Sequence, residues 1–217
     1  MDVEQQNSAA AAQQAIFQKV DQMFSDYFSQ IEKDSEKGNI FVSGERYVMY
    51  RAQSMSIFLR NELQKILGTG VHQAVYRFGR ACGGADARFF IDKFKITDPL
   101  EKVMTGPVYF AHGGYATVEF LPESKPAVDE NCLLVYNHPN SYEAEAYINA
   151  GTKTDRPICH LNAGYSCGWA TEALGIRLEA KEITCRAHGD EFCKFVMAPP
   201  RSLNAHIEKI KEIYNIT

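Results

Sequence analysis

GYSCGWATEALGIRLEAKEITCRAHGDEFCKFVM, residues 164–197, holds two kinds of periodicity separated by glycine. Pro157 can start a helix that runs to about Leu174 and stops at Gly175, the usual proline-in, glycine-out asymmetry. Arg177 to Ala187 and Cys193 to Met197 then read as two arms of a hairpin, and Pro199-Pro200 close it. Cys185 and Cys193 lie symmetrically about Gly189, so a hairpin centred there makes them cross-strand neighbours, with β-carbons about 4.5–5.5 Å apart. Two thiolates at that spacing can share one tetrahedral zinc, with Zn–S near about 2.3 Å. They can equally form a disulfide or stay as buried free thiols that behave as small hydrophobes. Glu182 precedes Cys185 by three residues, an odd step that puts it on the opposite face of a regular strand. It joins the pair only if the strand bends or bulges. Cys159, at the start of the helix, can be carried over the hairpin. His160, Cys167, His188 and Asp190 are further donors nearby, although His-Gly-Asp between two arms is turn chemistry.

Outward from this stretch, helices lead and strands follow. Residues 1–14 are Gln/Ala-rich and read as a disordered tail. Over 15–36 an amphipathic helix is predicted from Ile16, Phe17, Val20, Met23, Phe24, Tyr27, Phe28 and Ile31, an apolar stripe that covers the domain's own core or a dimer surface. Ser43 is predicted to cap a second helix to about Leu67. A third spans roughly Val71 to Phe94; its Gly79, Gly83 and Gly84 each cost about 1 kcal/mol against alanine and are tolerable where another backbone comes close. Tyr115 to Leu121 and Cys132 to Tyr136 read as strands, Tyr142 to Ala150 as a helix, and Leu203 to Tyr214 as a terminal helix. The order is α+β rather than alternating βαβ: a sensor-sized domain over 40–200 and a C-terminal helix in 201–217.

Composition narrows the function. Of 217 residues, 45% are hydrophobic and 23% charged, so a sizeable core is expected. The formal net charge of -4 argues against direct nucleic-acid binding. No stretch reaches the roughly 18 apolar residues of a membrane span, and the N-terminus lacks a signal-peptide core, so a cytoplasmic location is expected. In such a reducing compartment the six cysteines point to thiols or metal ligands more than to disulfides.

The C-terminal stretch resembles the 4-vinyl-reductase domain, in particular the sensor domains of bacterial phenol-, toluene- and xylene-responsive transcription activators. ERYVMYRAQSMSIFLRNELQKILG (45–68), VYRFGRACGGADARFF (75–90), GPVYF (106–110) and NSYEAEAYI (140–148) carry the likeness forward, so that it covers about residues 40–200. The resemblance implies helices packed on a small antiparallel sheet, a fold shared with a vesicle-tethering subunit group, usually as a homodimer. It also implies a zinc held by Cys159, Glu182, Cys185 and Cys193, stapling the C-terminal hairpin. With four protein ligands such a zinc is structural and leaves no open position for water.

In the phenol sensors a His and a Trp hydrogen-bond the ligand hydroxyl. The matching positions here are Phe110 and His138, so phenol itself does not follow. Tyr109, Phe110, His112, Tyr115, Phe120, Tyr136, His138 and Trp169 are the candidate ligand-binding residues, with His112 able to replace the lost group if its strand is shifted. The expected function is a stand-alone sensor of a small apolar or aromatic ligand, signalling through a dimer or a downstream protein partner. The alternatives are a reductase-type enzyme, for which no dinucleotide fingerprint is seen, and a tethering-type interaction adaptor.

Overall fold

The structure is a computed structural model that describes residues 3–216. Its elements are α1 (Val3–Ser29), β1 (Ile31–Asp34), β2 (Asn39–Val42), β3 (Glu45–Tyr47), a π-helical turn (Ser54–Phe58) leading into α2 (Leu59–Leu67), α3 (Val71–Lys93) and α4 (Pro99–His112). They continue with β4 (Glu119–Phe120), β5 (Leu134–His138), α5 (Tyr142–Asn149), α6 (His160–Leu174), β6 (Glu179–Thr184), β7 (Cys193–Ala198) and α7 (Leu203–Tyr214). β1, β2 and β3 form one antiparallel sheet; the second has the order β4-β5-β7-β6, also antiparallel. The expected α+β class is what the chain adopts.

The second sheet is a wall between two cores. Leu134 and Tyr136 of β5, with Phe195 and Met197 of β7, face the main core under α3, α4 and α6. The alternate residues Val135, Val196 and Ala198 face Leu203, Ile207 and Ile210 of α7. This period of two is the pleat itself, and burial of both faces explains the apolar runs Leu133–Tyr136 and Phe195–Ala198.

α3 and α6 form the central helix pair, and glycine brings them together. A β-carbon at Gly83 would collide with the carbonyl oxygen of Tyr165, and one at Gly164 or Gly168 with the carbonyls of Tyr76 or Arg80. Gly79 stands likewise against Leu161. The propensity cost of these glycines is the cost of backbone contact. Phe24 of α1 is fully buried between Phe90, Phe94 and Tyr109, at ring separations of 5.0, 5.1 and 5.7 Å. Burying such a ring contributes about 1.5–3 kcal/mol. The apolar stripe of α1 therefore covers the domain's own core through Val20, Phe24 and Tyr27, while Phe17 stays exposed.

Several expected boundaries differ. The first helix starts at Val3, inside the stretch expected as a tail, and ends at Ser29 rather than residue 36; Met1 and Asp2 lie outside the described residues. Ser43 does not cap a helix: Ser43 and Gly44, with φ of 49° and 84°, make the two-residue turn between β2 and β3. Positive φ at both central positions is the hairpin turn whose twist matches its strands. The stretch expected as a long strand, 115–121, contributes only Glu119 and Phe120. α4 had no counterpart among the expected elements, yet Asp98-Pro99-Leu100-Glu101 is a helix start: Asp98 Oδ1 accepts from Glu101 N at 2.8 Å and Pro99 takes the first turn.

A candidate metal centre and a small apolar cavity

Cys159, Glu182, Cys185 and Cys193 converge, all buried, with one donor atom from each lying within 4.8 Å of the others. Cys159 is the residue before α6; Cys193 opens β7; Cys185 follows β6 in extended conformation. A bulge decides Glu182. The register runs Glu182 opposite Phe195 and then Thr184 opposite Lys194, so Ile183 is an extra residue and the odd step to Cys185 is absorbed. The turn is held by Asp190, whose Oδ2 accepts from Cys185 N at 2.8 Å, and by Gly189 at φ 112°. Asp190 is thus a turn residue. His188 pairs with it at 3.5 Å, Cys167 donates to Leu178 O at 3.1 Å and His160 packs on His72, so none of these joins the cluster.

The four groups fit a metal. Cys193 Sγ lies 3.7 Å from Cys159 Sγ and 3.9 Å from Cys185 Sγ, far beyond a disulfide bond. A tetrahedral zinc with Zn–S of about 2.3 Å separates its sulfurs by roughly 3.8 Å. Glu182 Oε2 accepts from Cys159 N at 2.7 Å, while Oε1 is buried with no hydrogen-bond partner. Burial holds the Glu182 carboxyl well above the usual carboxylate range, and Cys185 beside it adds to this. Hydrogen bonds from Cys159 and Cys193 hold the Cys185 thiol well below its usual range. Without a cation the four groups share protons, because they cannot all ionise together in a dry site. Around them, Ser141 Oγ lies 3.2 Å from Cys159 Sγ and Arg186 N donates to Cys193 Sγ at 3.4 Å.

The eight residues expected at the ligand divide. Phe110, Phe120, Tyr136 and Trp169 line a small apolar cavity of about 40 Å³ between α4, α6 and the second sheet. Tyr109, His112 and Tyr115 line instead an open groove of about 480 Å³ beside the first sheet. His112 is no replacement hydrogen-bonding group, because its segment is helical and its Nε2 is committed to Asp21 Oδ1 at 2.9 Å. His138 is fully buried beneath Phe195 and Phe110, at 4.4 and 5.5 Å between rings, and lines neither space. Burial alone drops its pKa to about 3, so the ring is neutral, and both ring nitrogens lack partners. Ser166, Val103 and Gly106 also line the cavity and were not among the expected residues. Of the three only Gly106 carried a signal, as the first residue of the GPVYF segment; a β-carbon there would press on the Trp169 indole at 2.9 Å.

Residues 139–199, which carry all four cluster residues and their turn, match the model of the 4-vinyl-reductase domain family. Over those residues the chain is similar to the 4-vinyl-reductase domain. Residues 26–122, ahead of it, match the family described as activator of aromatic catabolism. The phenol regulator MopR of Acinetobacter guillouiae is 26% identical over 80% of this chain; the chain spans 31% of that regulator's length. An uncharacterized protein, MJ0150, of Methanocaldococcus jannaschii is 23% identical over 60% of this chain and 66% of its own. Among solved structures, the phenol-responsive sensory domain of the transcription activator PoxR, bound to phenol, superposes with a TM-score of 0.70 at 18% identity, covering 85% of this chain and 93% of that one. A trafficking protein particle complex subunit 3 from Naegleria fowleri, covalently bound to palmitic acid, superposes at 0.50 with 13% identity, over 68% and 91%. Both likenesses are of fold, and they match the two fold relatives implied by the sequence. Among the described residues, no helix is long and apolar enough to cross a membrane.

Proposed function

We propose that this chain is a sensor domain that encloses a small aromatic or hydrocarbon ligand, with a structural zinc held by Cys159, Glu182, Cys185 and Cys193. The observation that carries the proposal is the apolar cavity, walled by the same two strands that hold α7 on their other face. At about 40 Å³ it is smaller than the cavity of about 150 Å³ that takes benzene in an engineered protein. Ligand therefore enters an expanded arrangement, and a ligand that favours that arrangement shifts the population toward it. The wall of β5 and β7 carries the displacement to α7. Lys194 of β7 ties the two, with its ammonium 3.9 Å above the Tyr214 ring. The zinc keeps the hairpin end of the wall fixed, so that the movement goes to α7 and α4.

The sensor acts as a homodimer in the cytoplasm, passing its state to a partner protein. Val48, Met49, Tyr50 and Phe78 are each more than half exposed around the open groove, an apolar surface that supports association with a second copy. Native mass spectrometry of the purified protein tests the whole reading. We expect two copies of the 24.4 kDa chain, one zinc per chain and a retained small apolar ligand. Replacing Cys185 by Ser should remove the zinc and destabilise the fold by about 4 kcal/mol or more. A metal-free wild-type protein with unchanged melting would overturn the staple.

A further inference from the structure

Ser141 stands where a serine normally caps a helix, one residue ahead of α5, and its side chain does not cap it. At that position the hydroxyl ordinarily accepts from a free backbone N–H of the first turn. Here the side chain is fully buried and turned the other way, with Oγ 3.2 Å from Cys159 Sγ. A second neighbour fixes the direction of that contact. Asn162 Nδ2 donates to Ser141 Oγ at 3.1 Å, so the oxygen accepts there and its one proton is left for the sulfur. The elements are held in place around the pair. Glu143, in the first turn of α5, accepts from Leu161 N and Asn162 N in the first turn of α6, and Ser56 Oγ donates to Glu143 O at 3.0 Å. Among the described residues, Ser141 is the one side chain outside the cluster that reaches any of its three sulfurs.

We infer that Ser141 is a positioning residue for the metal: its hydroxyl, aimed by Asn162, donates to the Cys159 sulfur and strengthens the hold of the four-residue cluster on its ion. This role rests on the zinc reading of the cluster given above. Three thiolates and a carboxylate around a doubly charged cation leave two negative charges in a buried place. Such an excess is tolerated only where donors outside the ligands draw it off. The backbone supplies two of them: Cys159 N donates to Glu182 Oε2 at 2.7 Å and Arg186 N to Cys193 Sγ at 3.4 Å. Ser141 supplies the third, to the sulfur that is carried on α6 rather than on the hairpin. Outer partners of this kind orient a ligand and tune its bond to the metal. The absent cap of α5 has the same origin, since one hydroxyl proton and one rotamer cannot serve both the helix and the sulfur.

The test uses the full chain as wild type, Ser141→Ala and Asn162→Ala, loaded with zinc or with cobalt(II) as a spectroscopic probe. Zinc affinity is read by competition with a chromophoric chelator, and the sulfur-to-cobalt charge-transfer band by absorption. Ser141→Ala is expected to bind zinc about 10- to 100-fold more weakly. Its cobalt band should lie at longer wavelength, because a sulfur that has lost its donor holds its negative charge less tightly. Asn162→Ala keeps the hydroxyl but removes what aims it, and should move both readings the same way by less. Unchanged affinity and band in Ser141→Ala would overturn the assignment. A weaker affinity with an unmoved band counts against it equally, because the effect then lies in the fold and not at the sulfur. If Ser141→Ala does not fold, Asn162→Ala decides, and an unmoved band there sinks the assignment. If wild type takes up neither ion, the zinc reading fails and this role with it, a result distinct from unchanged variants of a protein that binds.

Discussion

At the scale of single residues, Phe110 is a bulky aromatic in the cavity wall. Its ring lies 5.5 Å from the buried imidazole of His138 and stacks on Tyr115 at 4.8 Å. Phe110→Ala should lower stability by about 3–5 kcal/mol, the usual cost of such a truncation in a core. It should also enlarge the cavity, so that saturating toluene raises the melting temperature of the variant more than that of wild type, as linkage requires. An equal shift in both proteins would place toluene elsewhere. The residues of the metal cluster were only partly legible in the sequence. The Cys185–Cys193 pair follows from symmetry about Gly189, but Glu182 depends on a bulge at Ile183 that strand periodicity cannot announce. Tyr136 was legible as a strand aromatic and not as part of a cavity wall, because the rest of that wall comes from elements distant in the chain. Tyr109, His112 and Tyr115 share the aromatic character of the cavity residues. Only the helical geometry of α4 and the turn after it send them to a different side.

At the scale of elements, the α3–α6 pair is the axis on which the cavity and the cluster are hung. α6 supplies Tyr165, Ser166 and Trp169 to the cavity and starts just after Cys159. Its N-terminus is further held by the buried carboxyl group of Glu143, which accepts from Leu161 N at 3.2 Å and Asn162 N at 2.8 Å. Two neighbouring glycines of α3 make a controlled comparison. Gly83→Ala meets the Tyr165 backbone and should destabilise by about 3 kcal/mol or more, the range of severe core strain. Gly84→Ala meets Gly168 O at 3.7 Å, an ordinary contact, and should be neutral or stabilising by up to about 1 kcal/mol through helix propensity. Chemical denaturation of the two variants checks this; equal effects would deny the close helix contact. The glycine cluster was readable as backbone contact, but not which helix would meet it. The first sheet was missed for a related reason: Ser43-Gly44 serves as well for a helix start as for a hairpin turn, and only the pairing of Phe41 with Arg46 and Val42 with Glu45 decides between them.

At the scale of the whole molecule, one four-stranded sheet separates a small apolar cavity from the terminal helix, and a buried cysteine–carboxylate cluster lies at its hairpin end. The α+β class, the hairpin and α7 were all legible from period and punctuation, since each depends on local sequence. The position of the cavity was not, because its wall draws on α4, α6 and one face of a sheet, from segments as far apart as Val103 and Met197. The direct measurement is a crystal structure of the protein soaked with toluene, with an anomalous signal recorded at the zinc edge. Toluene is expected between Phe110, Tyr136 and Trp169 in a cavity larger than about 40 Å³, with α7 displaced from the sheet and one zinc among Cys159, Glu182, Cys185 and Cys193. Toluene found only in the open groove beside Tyr109 and Tyr115, with the cavity and α7 unchanged, would contradict the sensor mechanism.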